Sequence, residues 1–217
     1  MSVAEARRFL LGMYHDLPNV LFIGCLILGS ITGYLPLVWL ALGLILNGSL
    51  VAFVQSLLKF LFPTWAQISI PAGFGTCTII PNSTLKPSDI ISVAPSHWLA
   101  AAVFFATFSI WNSIQVALRE PANGVNSEKV ANRRASSMSA MVIGIVFFAL
   151  VLARGYSGCE TWLGGILGII IGSSTAIGYW YLLDACGTGT IPDILQLVSA
   201  SAPAADVNEK VPIICTP

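Results

Sequence analysis

The longest pattern along the chain is a run without charge. From Leu17 to Leu58 none of 42 positions is charged. As a single helix this run would extend about 63 Å at 1.5 Å per residue, roughly twice the hydrocarbon thickness of a bilayer. It must therefore break. The stretch TGYLP at 32–36 supplies the break, since Gly33 loosens a helix and Pro36 suits the first turn of the next. Helices over 18–33 and 37–61, joined as a tight hairpin, are predicted. Three more apolar runs predict helices over 97–118, 137–153 and 162–183. A re-entrant hairpin that returns to neither face cleanly is the alternative for the first two, and it would divide the ten basic residues seven against three.

The segments between are of a different kind. Residues 62–96 carry five prolines among Gly, Ser and Thr. They predict a long ordered loop with short strands near 68–70 and 76–80. Residues 119–136, REPANGVNSEKVANRRAS, read as a polar loop. The tail 184–217 holds a short amphipathic helix at 192–199 and then an extended end. Residues 1–16 read either as an amphipathic helix at a membrane surface, with Leu10, Leu11 and Tyr14 on its apolar face, or as a frayed terminus.

Composition turns these runs into membrane spans. Hydrophobic residues make up 56% of the 217 and charged residues 9%, where soluble domains carry about 25% charged. So few charges cannot cover a water-facing surface. The expected fold is an all-α integral membrane protein, one polytopic domain of about five transmembrane helices with a long Pro-rich ordered loop. Net charge is zero and no basic run tracks a phosphate backbone, so nucleic acid is not an expected partner. With five spans the basic residues divide evenly: Arg7, Arg8, Lys59, Lys86 and Arg154 against Arg119, Lys129, Arg133, Arg134 and Lys210. The Lys/Arg asymmetry that usually sets orientation is therefore missing.

Candidate chemistry is sparse. His15 and His97 stand far apart, and neither HExxH nor CxxC occurs, so no metal site and no cofactor is expected. The stretch VAPSHW at 93–98 shares only part of the PSGH element of membrane phosphatidic-acid phosphatases. It lacks the glycine, the second histidine and the cationic cradle that phosphoryl transfer needs. Proton and ion pathways carry ionisable groups inside spans. Here the strongly polar mid-span residues are Asn47 and Asn112, which suit helix–helix hydrogen bonds. No catalytic residue is expected.

The sharpest feature is a glycine ladder, Gly164, Gly168 and Gly172, extended by Ala176 at the same spacing of four. Lipid supplies no hydrophobic drive between helices, so small residues act by letting backbones approach. The ladder predicts a helix-packing face, with a channel wall as the alternative. Cysteines flank it. Cys77 and Cys159 fall on one side of the predicted topology, and Cys186 and Cys215 share the tail, so two disulfides are candidates. Cys25 lies inside the first helix.

Several segments resemble a family of uncharacterised multi-span membrane and minor capsid proteins of nucleocytoplasmic large DNA viruses. They are PSHWLAAAVFF (95–105), EKVANRRAS (128–136), RGYSGCETWLG (154–164), GYWYLLDACG (178–187) and IPDILQLVSASAP (191–203), followed by Cys215. The resemblance covers the C-terminal 60% of the chain. It implies a structural protein of the virion's internal membrane, a membrane derived from the host endoplasmic reticulum during assembly. Its loops and tail would tie that membrane to the capsid shell. The implied partners are the lipid bilayer and capsid or other membrane proteins, in homo- or hetero-oligomers. The rival expectations are an accessory subunit of a respiratory or photosynthetic membrane complex, and a channel or transporter.

Overall fold

The computed structural model describes residues 16–33, 35–62, 94–118, 127–153 and 162–186. These form five helices: α1 (Leu17–Thr32), α2 (Leu35–Leu61), α3 (His97–Leu118), α4 (Ser127–Ala153) and α5 (Trp162–Ala185). Among the described residues there is no strand. Four of the helices, α2 to α5, are long and apolar enough to cross a membrane. Helix α1 has 16 residues, about 24 Å of rise, and is the short one. Residues 63–93 of the expected Pro-rich loop, where short strands are predicted, lie outside the described residues, as do the predicted amphipathic start and tail helix.

The break between α1 and α2 uses the residues that predicted it. Gly33 closes α1 in the left-handed conformation, at φ 67°, which glycine adopts without steric cost. Pro36 falls in the first turn of α2, where its missing N–H costs no helical bond. The hairpin folds tightly because Gly29 lies under the start of α2. A Cβ there would stand 2.8 Å from Val38 Cγ2 and 3.0 Å from Val38 N.

Helix α4 differs from its expected limits. The apolar pattern starts it at 137, within a polar loop over 119–136, but the helix begins at Ser127. Polarity alone does not end a helix. Glu128, Ala131, Arg133, Arg134 and Ala135 are good helix formers, and Glu128 in the first turn complements the helix dipole. Tertiary contact adds to this. Arg133 and Ser137 are buried, as is Val151. Together with Gly144 they lie on one stripe of the helix, at spacings of four and seven.

Contacts along the seams fix the directions. Gln55 of α2 meets Pro95 just before α3, while Gly43 lies against Phe104, so α2 and α3 are antiparallel. Ser96 meets Gly164 and Asn112 meets Trp180, so α3 and α5 run side by side in parallel. Phe147 of α4 packs on Phe105 and Val151 near Trp98, so α4 returns antiparallel. Leu17 packs with the Trp98 cluster, which sets the start of α1 at the same end. We call this the Ser96 end. Helix α3 is central and packs against all four others. Its Ala100, Ala102, Val103 and Phe104 have no exposed surface. Helix α4 turns Met138, Val142, Ile143, Val146 and Leu150 outward.

Candidate functional site

The four ladder positions, Gly164, Gly168, Gly172 and Ala176, are all buried, and the glycines meet α3. At the first rung Ser96 N donates to Gly164 O across the two helices at 3.0 Å. At the second, a Cβ on Gly168 would sit 3.1 Å from Ser96 O and 3.4 Å from Ala100 N. At the third, a Cβ on Gly172 would sit 2.5 Å from Ala100 O and 3.1 Å from Phe104 N. These neighbours are backbone atoms, which cannot swing aside. The ladder is thus a track along which the main chain of α5 lies on that of α3. Such proximity maximises dispersion contact where lipid gives no hydrophobic drive.

Beyond the ladder the seam fills with rings. Phe104, Phe108 and Tyr179 form a triangle with centroids 6.1 Å apart on each side, within the range of favourable aromatic pairs. Tyr179 also crosses to α2. Its hydroxyl donates to Trp39 O at 2.7 Å, and its ring edge occupies the space above Gly43. Gly43 and Tyr179 are contributors that pattern analysis missed. Their signal was weak, a single glycine and one tyrosine near a helix end.

Polar side chains in the spans bond across helices. Trp180 Nε1 donates to Asn112 Oδ1 at 3.2 Å, as expected for Asn112. Thr107 and Ser173 hydroxyls approach at 3.4 Å. Asn47 behaves otherwise. It is fully buried, and among the described residues neither polar atom of its side chain has a partner.

A second polar knot closes the Ser96 end. Ser96 Oγ accepts from Leu99 N at 3.1 Å and so caps α3. Gln55 Nε2 donates to Pro95 O at 2.7 Å. This leaves Gln55 Oε1 to accept from His97 Nε2, 3.0 Å away, so that nitrogen carries a proton. His97 thereby links α2 to α3. Gln55 gave no sequence signal, because one glutamine near a span end matches no motif.

The cysteines divide by description. Cys25 is buried in the core and Cys186 is exposed, and both are free thiols. Among the described residues there is no disulfide, and each expected pairing includes a cysteine outside them. Cys77, Cys159 and Cys215 lie outside the described residues. Among the described residues no group of three or more His, Cys, Asp or Glu side chains could hold a metal ion. No family model, curated protein or solved structure matches the chain.

Proposed function

We propose that the chain is a non-enzymatic structural membrane protein that spans the bilayer five times, α1 included, and presents its loops and tail to protein partners. The observation that carries this reading is how the polar groups within the spans are used. Tyr179, Trp180, Asn112, Thr107 and Ser173 join helices to one another. The volume between α2, α3 and α5 is filled by Phe104, Phe108 and Tyr179. A chain built this way stiffens a membrane-embedded body. Its binding capacity then resides in what connects and follows the helices.

The resemblance to virion membrane proteins supports the finer proposal. The membrane is the internal membrane of a large DNA virus particle, and the loops and tail tie it to the capsid shell. Proximity cross-linking in intact particles tests this, with capsid shell proteins as the expected neighbours. Copurification with a respiratory or photosynthetic complex from cells would sink it in favour of an accessory subunit. Conductance in liposomes that Gly168→Leu abolishes without loss of assembly would instead favour a channel.

Topology has its own test. Three spans, α3 to α5, separate Cys77 from Cys215, so an impermeant thiol reagent should label them from opposite sides. A cysteine placed at Ser2 should label with Cys77, because α1 and α2 together cross twice. Labelling Ser2→Cys from the opposite face would show that α1 does not span.

A further inference from the structure

Hydroxyls on the outer faces of the helices satisfy themselves. Thr32, Ser49, Ser56, Ser139 and Ser174 are exposed, and each donates to the carbonyl four residues back. Thr175 does not. Its Oγ1 is buried and, among the described residues, has no partner. The Asn47 side chain shares this condition with both of its polar atoms. An unpartnered buried amide or hydroxyl costs roughly 1–3 kcal/mol, and a bilayer offers no bulk water to relieve it.

Helix geometry brings the two groups to one level of the fold. The Tyr179 ring lies on Gly43. Helices α2 and α5 run in opposite directions. One turn from that contact toward the Ser96 end leads back along α5 to Thr175 and forward along α2 to Asn47. Both therefore stand at the same level of the α2–α5 seam, beside the third rung of the glycine ladder. Between them they offer donors and acceptors: two N–H and a carbonyl from Asn47, and a hydroxyl from Thr175. A bridging group must both donate and accept, must be neutral and must be small. Water meets all three conditions.

We propose that Asn47 and Thr175 together form a buried water site that ties α2 to α5 at mid-membrane. The water completes hydrogen bonds that neither helix supplies and does for the α2–α5 seam what direct bonds do for α3–α5. One test is a high-resolution map of the protein in lipid nanodiscs. A solvent peak within hydrogen-bond distance of both side chains is expected. Asn47 bonded directly to protein groups, with no such peak, would overturn the proposal. A second test is an unfolding cycle in mixed micelles with Asn47→Leu, Thr175→Val and the double variant. Each single change should lower the folded-to-unfolded ratio about tenfold. The double variant should lose no more than the worse single, since the same water leaves each time. Additive losses, or an Asn47→Leu variant as stable as the parent, would refute a shared water.

Discussion

Helix α3 is gripped on two sides by different means. On the α5 side the grip is backbone on backbone, with Gly168 and Gly172 opposite Ser96 O, Ala100 O and Phe104 N. On the α4 side it is side chain on side chain. Phe105 meets Phe147 edge-on at 5.9 Å, and Gly144 gives room to Ile110, whose Cγ1 would lie 2.7 Å from an added Cβ. A main chain held by helical hydrogen bonds cannot move alone, whereas an isoleucine can change rotamer. The first seam therefore tolerates no added volume, and the second adapts.

The largest effect should come from Gly172→Ala. One methyl group at 2.5 Å from Ala100 O forces the helices apart and should cost about 2–3 kcal/mol, read as a loss of unfolding free energy in mixed micelles. Ala100→Gly in the same chain should not rescue it, because the clash is with a carbonyl oxygen and not with the alanine methyl. Rescue would show that side chains, not backbones, set this seam.

Gly144→Ala should cost less, about 1 kcal/mol, because Ile110 can yield. A loss equal to that of Gly172→Ala would erase the difference between the two seams. Smaller again is Ser173→Ala, which removes the contact with the Thr107 hydroxyl and very little volume. Interhelical hydrogen bonds in membranes average about 0.6 kcal/mol, and the same titration should resolve a loss of that order. Gly178→Ala is the control. It is on α5 but a Cβ there meets nothing within 4 Å, so stability should hold or rise by up to about 1 kcal/mol from helix propensity.

The two asparagines show where legibility stopped. Both are mid-span and polar, and each suited a helix–helix bond. Asn112 makes one because α5 runs parallel to α3 and brings Trp180 to its level. Asn47 meets no direct protein partner among the described residues. No local pattern separates the two, because the difference lies wholly in what the neighbouring helix carries at the same depth. The start of α4 was obscured for a related reason. Hydrophobic periodicity reports contact with lipid or core, and the first turns of α4 carry polar residues. Burial of Arg133 and Ser137 depends on the neighbouring structure, which a polar sequence does not announce.

Composition and spacing by themselves determined the all-helical class, the apolar runs, the break at Gly33 and Pro36, and the small face of α5. Each is a local property: charge-free length, φ preference, or side-chain size at a repeat of four. Tertiary structure alone decided that α3 is the central helix and that α5 lies parallel to it. It decided too that the ladder rests on backbone atoms of α3, and that Gln55 and His97 join α2 to α3. These depend on the depth and direction at which distant segments meet. Apolar runs of similar character could pair in several ways. The choice among them follows from which surfaces fit at van der Waals distance, and only the folded arrangement tests that fit.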